Sequence, residues 1–567
     1  MKTLSVAVII LVLFAGTANA GKQVRVIYKN IVNGREVTDG PRTVVESDGS
    51  AVRITVVQRQ PGRLQMPSPL QSSFIDLEGR QFINVADMPD GSRISTVTHF
   101  KDLPSAEIST DFETIAGYKC VRSRVIYFSN TIDIWYTLEA GLAGTPVPAY
   151  GVPEGLVLRI VRNGNNITEA EEVESVRDKG FRVSIPGNRG KEVDRMTFEH
   201  LLREAFVTSV TVFDNAVINW EGEVANPEFG IRDTIYRFAG GTVILKKVIL
   251  PQVHDRYSLF AEVTEYSAGD AYDRTGTVFV IPQGDPVTFI DGLIRGHKSL
   301  PVHTDKHGKD YSGVAATISY RPPVELVRFF TPFGVRNFNE KRTVPGLVWE
   351  DSAFYKQEIT RYLPLLRGEV WIGAFIGNYD RGGHRLSLRL KYYPETREME
   401  FPASPEKWIS SVFNTLPIME MAGQQYGTMF DGDTLSVSVE IPEGLKSLQM
   451  VFITTGHGGW GGGDEFNQKM NELLVDGRRV WSFVPWRSDC GTYRNYNPAS
   501  GNFWNGLSSS DYSRSGWCPG SVSEPLIIPL DGLSPGRHTF SVTVPMGKPE
   551  GSSFSHWNIS GVLIGEK

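Results

Sequence analysis

The stretch FITTGHGGWGGGDEF, residues 452–466, sets His457, Trp460 and Glu465 among closely spaced glycines. Glycine loses more backbone freedom on folding than any other residue, so such a cluster needs a reason. A phosphate cradle would need a helix and a Lys-Ser or Lys-Thr pair after the glycines, and neither follows. A linker would not carry His, Trp, Asp and Glu straight after the strand-like LQMVFITT. Two readings stay open. One is a site loop in which His457 donates a hydrogen bond, Trp460 offers a flat face and Glu465 acts on a bound group. The other is an ordinary exposed loop. Downstream, Trp481, Trp486, Trp504 and Trp517 alternate with Asn, Asp and Arg. Such a mixture suits sugars, whose apolar ring faces stack while hydroxyls take directional hydrogen bonds. Core aromatics under polar loops would look the same. The loop HTDKHGKD holds His303, Asp305, His307 and Asp310, but that spacing arises by chance and no metal is expected.

These residues need a scaffold, and the sequence reads as β. RLSLRLKYY puts Leu386, Leu388, Leu390 and Tyr392 on one face. TLSVSVEI and HTFSVTV alternate in the same way. Period two marks half-buried strands, here separated by turn signals such as DGD, DGR and SPGR. Strands without long helices between them predict sandwiches or jelly rolls. One helix interrupts: DRMTFEHLLREAF spaces Phe198, Leu201, Leu202 and Ala205 at helical intervals, with Asp194 as N-cap. It closes a first domain over 21–205. A Pro- and charge-rich break near 393–407 then divides the remainder into 206–398 and 399–567.

The chain of 567 residues is too long for one core. Its net charge of −6 argues against a nucleic-acid binder. Residues 1–20 read as a signal peptide: Lys2, an apolar run from Val6 to Phe14, and Ala18-Asn19-Ala20. The expectation is an exported protein without a membrane anchor, in the periplasm or outside the cell. Among three cysteines, Cys490 and Cys518 lie in one region and are the natural pair, leaving Cys120 as a buried small hydrophobe.

At SRSGWCPGSVSEPLIIPLDG the chain resembles the peptide-N-glycosidase F family, exported bacterial amidases that remove N-linked glycans. Arg514 through Gly520 match its Arg-x-Gly-Trp-Cys-Pro-Gly stretch. TTGHGG and DEF resemble its glycine-histidine strand end and Glu-aromatic pair, placing His457 and Glu465 on family positions. DAYDRTGTVFVI resembles its Asp-x-Trp-Asp-Arg motif through Asp270, Tyr272, Asp273 and Arg274. The resemblance implies two adjacent eight-stranded antiparallel jelly rolls over 206–567. Longer members place a mostly-β, bowl-like domain before them. It also implies a Cys490–Cys518 disulfide. Three positions depart from the family. Tyr272 stands for its Trp, and Gly269 for a cysteine. WIGAFIGNYDRGG lacks its glutamate, leaving Asp380 as the nearest carboxylate.

The implied reaction hydrolyses the amide between asparagine and the first N-acetylglucosamine of N-glycoproteins and N-glycopeptides. The residues assign Asp273 as principal catalyst, with Glu465 as its partner from the second jelly roll. Arg274 and Arg514 supply positive charge, and Asp270, Tyr272, Asp380, His457, Trp460 and Trp517 form the substrate groove. No cofactor is expected, and the chain is taken as a monomer. A non-catalytic glycan-binding protein and an endo-acting glycosidase using two carboxylates are the alternatives.

Overall fold

The computed structural model describes residues 23–38, 40–57, 69–176, 180–253, 257–394, 406–458, 463–530, 532–548 and 554–567. The signal peptide, Trp460 and most of the expected break at 393–407 lie outside the described residues. Packing divides the chain into two units, Met1–Val207 and Thr208–Lys567.

The first unit is built on one 13-stranded sheet. Its long strand Gln23–Val32 pairs antiparallel with Arg42–Ser47 on one side and Asn166–Val176 on the other. Alternation drives Val24, Val26 and Tyr28 into a core with Val45, Ile75, Leu156 and Leu158. Cys120 is buried in the same core as a free thiol. The helix runs Arg195–Glu204, and the Asp194 carboxylate accepts the Thr197 amide at 3.0 Å. Phe198 anchors its apolar face against Ala86 and Ile94.

The second unit holds two jelly rolls in sequence. In the first, Thr208–Ile218, His384–Pro394, Tyr257–Ser267 and Ala353–Glu358 form one sheet in that order. The facing sheet runs Ile235–Phe238, Val243–Leu250, Gly368–Ile376, Thr275–Val280, Val324–Phe330. Eight of these strands follow the jelly-roll order, and Ile235–Phe238 adds an edge. In the second roll, Lys407–Asn414, His556–Glu566, Ser447–His457 and Leu526–Pro529 face Thr434–Ile441, Gly536–Thr543, Asn471–Val475 and Arg478–Phe483. Leu386, Leu388, Leu390 and Tyr392 all point inward, as their spacing predicts. Each aliphatic chain buried this way contributes about 2 kcal/mol.

The rolls meet across a seam in which Val451, Val562 and Ile564 of the second pack into the core of the first, beside a buried polar set. Arg328 and Glu325 are an ion pair at 2.7 Å without solvent contact. Arg328 reaches into the second roll and donates to the Asn558 carbonyl at 2.5 Å and to Thr455 Oγ1 at 3.3 Å. Ser560 Oγ donates back to Glu325 Oε2 at 2.7 Å. A buried charge with every lobe occupied fixes one relative placement of the rolls.

Candidate active site

Asp273 lies in the turn between strands Tyr257–Ser267 and Thr275–Val280 of the first roll. The turn is tied by Ser267 Oγ donating to the Asp270 carbonyl at 2.6 Å and by the Ala268 amide donating to the Gly383 carbonyl at 2.9 Å. Asp270 is buried and faces inward. It grips Arg274 through two bonds, 2.7 and 3.2 Å, and accepts the Tyr272 amide at 3.0 Å. The Arg274 guanidinium lies 5.2 Å from the Tyr272 ring centre and 5.3 Å from that of Tyr379. Both rings are mostly exposed, giving two aromatic faces around one cation. The glycine that replaces the family cysteine has a steric cause. A β-carbon at Gly269 would stand 2.8 Å from Asp380 Oδ1 and 2.9 Å from Gly382 Cα.

Glu465 comes from the second roll, after the strand Ser447–His457. Glycine is required where that strand ends. At Gly456 a β-carbon would meet the Trp557 ring at 2.8 Å. Gly458 has φ 110° and a β-carbon there would meet the Phe554 carbonyl at 2.1 Å. Asp464, fully buried, accepts the Trp557 indole N–H at 2.8 Å and the Gly547 amide at 3.0 Å. Its neighbour Glu465 turns the other way, toward Arg514.

Arg514 joins the two carboxylates. Its Nε donates to Glu465 Oε1 at 3.0 Å and its Nη2 to Asp273 Oδ2 at 3.4 Å. The Arg514 side chain is 1% exposed, while Asp273 keeps 16% and Glu465 21%. The cation is thus interior and the acids face the opening. Its plane is supported by the rings of Phe466 and Trp517 at 5.1 and 4.9 Å. Burial raises the Glu465 pKa to about 7, against the opposing pull of Arg514 and with the Asp273 charge adding to the rise. Burial also lifts Asp273 above the usual carboxylate range, although Arg514 and Arg274 oppose it. Burial thus pushes both carboxyls toward the protonated form, and the shared cation Arg514 pulls against it.

Other expected residues take different places. His457 and Trp517 are buried, stacked with Phe330 at 5.6 and 4.2 Å, and the Trp517 indole donates to the Gly456 carbonyl at 3.0 Å. They form the floor under Arg514. Burial, His556, Arg328 and Arg514 keep His457 neutral. Asp380 spends Oδ1 on the Gly382 and Gly383 amides at 2.7 and 3.1 Å, which shapes the turn against Gly269. Asp305 likewise accepts the His307 and Lys309 amides, both at 2.9 Å. Among the described residues, no group of three or more His, Cys, Asp or Glu is gathered as a metal-ligand set. The Cys490–Cys518 disulfide is present.

Sequence reading missed Glu420, in the turn after Lys407–Asn414. Burial raises its pKa, opposed by the hydroxyls of Tyr426 and Tyr379 and by the charge of Arg274. Its Oε1 is buried without a hydrogen-bond partner, and the two tyrosine hydroxyls are 2.6 Å apart. A lone Glu in a connecting turn carries no period or motif that would have marked it.

Residues 209–392 match the family described as Peptide-N-glycosidase F, N terminal, and residues 425–564 match Peptide-N-glycosidase F, C terminal. Residues 26–200 match the N-glycanase peptide, N-terminal domain. The chain belongs to the peptide-N-glycosidase F family. A solved structure of PNGF-II is 38% identical, covers 96% of this chain and 100% of its own, and superposes with a TM-score of 0.86. A second crystal form of PNGF-II, also 38% identical, covers 96% and 98% with a TM-score of 0.82. Comparison with curated proteins finds no match. The N-glycanase assignment therefore rests on nearly the whole chain, the first unit included. Among the described residues no helix is long and apolar enough to cross a membrane.

Proposed function

We propose that this N-glycanase hydrolyses the amide between asparagine and the innermost N-acetylglucosamine of N-linked glycans. Water adds to the side-chain carbonyl carbon, the C–N bond breaks, and a proton passes to the departing nitrogen. The products are aspartate in the peptide and a glycosylamine. The observation that carries the reading is Arg514, one buried cation bridging Asp273 of the first roll and Glu465 of the second.

Amides are poor electrophiles, so the barrier falls only with oriented water and help for the leaving amine. Asp273, facing Arg274 and Arg514, orients the water and takes its proton. Glu465, protonated for much of the time near pH 7, supplies a proton to the amide nitrogen. Arg514 stabilises the charge that moves between the two acids. Tyr272 and Tyr379, both mostly exposed, stack the sugar.

The test is mass spectrometry of a glycopeptide digest in heavy-oxygen water. Conversion of Asn to Asp with one heavy oxygen incorporated supports amide hydrolysis. A peptide that keeps one N-acetylglucosamine would instead identify a glycosidase.

A further inference from the structure

Behind Arg274 lies a set of buried charges that this chemistry does not touch. His384 opens the strand His384–Pro394 and has no solvent exposure. Its Nδ1 is 2.7 Å from Glu265 Oε1 and its Nε2 is 3.5 Å from Asp270 Oδ2. Glu265, at the end of the neighbouring strand Tyr257–Ser267, is also fully buried, and Asp270 is 2% exposed. The Tyr355 hydroxyl donates to the Phe330 carbonyl at 2.9 Å, with Glu265 Oε2 at 3.4 Å. Asp270 then passes to Arg274 through its two bonds. The line Glu265–His384–Asp270–Arg274 thus runs from the interior of the sheet to the site.

A neutral imidazole has one N–H and can satisfy only one of the two carboxylates. An imidazolium donates from Nδ1 to Glu265 at 2.7 Å and sets its positive charge at ion-pair distance, 3.5 Å from Nε2, from Asp270. It also changes the local count from two anions and one cation to two of each, which a site closed to water requires. We infer that His384 is a positioning residue held as an imidazolium, which neutralises Glu265 and Asp270 together so that Asp270 fixes the Arg274 guanidinium beside Asp273. Burial alone would lower the histidine pKa, but Asp270 and Glu265 outweigh it and raise it to about 9. The positive charge of His384 and the two bonds from Arg274 hold Asp270 well below the usual carboxylate range in spite of its burial. Arg274 keeps its orientation between the two tyrosine rings because its anion cannot turn away.

This role rests on Asp273 being the reacting carboxylate, and the experiment separates the two ideas. Nitrogen NMR of the intact wild-type protein reads the His384 ring directly. Both ring nitrogens should be protonated, without titration, from pH 5 to 8; a neutral ring in that range overturns the inference. The second arm compares His384→Gln, Arg274→Ala and their combination on a fluorescent glycopeptide, with folding verified by thermal unfolding. His384→Gln should lower kcat/KM on the order of tenfold or more, as displaced catalytic groups do. Adding it to Arg274→Ala should cause no further loss, because His384 acts through Arg274. Losses that multiply, or an unaffected His384→Gln, overturn the inference while an active wild type leaves the proposed reaction standing. An inactive wild type sinks both.

Discussion

Asp464 and Glu465 are adjacent carboxylates with opposite fates, one holding Trp557 and Gly547, the other facing Asp273 across Arg514. No propensity distinguishes them in the sequence; the strand end decides which side chain turns to the opening. Asp273→Asn preserves shape but removes the proposed proton acceptor, and turnover should fall at least about a hundredfold with glycopeptide affinity little changed. Glu465→Gln should also impair turnover. If the acids work as a unit, the double variant should be scarcely worse than Asp273→Asn alone, which single-turnover kinetics will show. The pH profile carries a further test. Glu465 has a raised folded pKa of about 7, so it binds a proton that the unfolded chain releases at lower pH. Its charging therefore destabilises the fold as pH rises toward and through 7, and protonation restores that loss. If Glu465 is the proton donor, kcat should decline as pH rises through about 7, and Glu465→Gln should remove that limb. A limb that persists in Glu465→Gln belongs to another group. Asp273 could be named from the sequence because a motif surrounds it. His384 and Glu420 could not, since their partners Glu265 and Tyr379 lie far away in sequence and meet them only in the folded sheets.

Strands were the most readable elements, because alternation such as Leu386, Leu388 and Leu390 states which face is buried without reference to partners. The edge strand Ile235–Phe238 escaped notice: four residues with one fully buried side chain, Tyr236, are too few to show a clear period. Turns were readable only in part. The glycines of the 452–466 stretch left a site loop and an ordinary exposed loop both open; Gly456 and Gly458 are places where Trp557 and Phe554 leave no room for a side chain. Gly269 has the same character beside Asp380. Gly269→Ala should force the Asp270–Arg274 turn away from Gly382, costing about 1–3 kcal/mol by overpacking. Urea unfolding should show the lost stability and glycopeptide assays a lower kcat. A neutral result in both would mean that the 380–383 turn yields freely.

At the scale of the molecule, the packing supports independent folding of 208–567, which we propose as the catalytic part. Produced alone, it should unfold cooperatively and retain turnover on short glycopeptides; an aggregated or molten product would refute this. Reducing Cys490–Cys518 opens a loop spanning 28 positions and should cost about 3 kcal/mol by chain entropy, visible as a lower Tm under reductant. The sequence reading closes a first domain at 205 with the helix, and the packing divides the chain at 207/208. The seam between the rolls was not legible in the sequence: Arg328 and Glu325 sit three apart in a strand that reads only as apolar with an internal ion pair.

Arg514 gives that seam a meaning beyond stability. One roll carries Asp273 and the other carries Glu465 with the cation that reaches both, so on the proposed mechanism neither half owns a working centre. Hydrolysis would then report assembly rather than folding. Two separately produced halves would stay silent until they associate, and the rate of glycan release would count the pairs formed. A cut between the rolls is accordingly the natural place for a split reporter, whose halves would rejoin through Val451, Val562 and Ile564 as well as through Arg328.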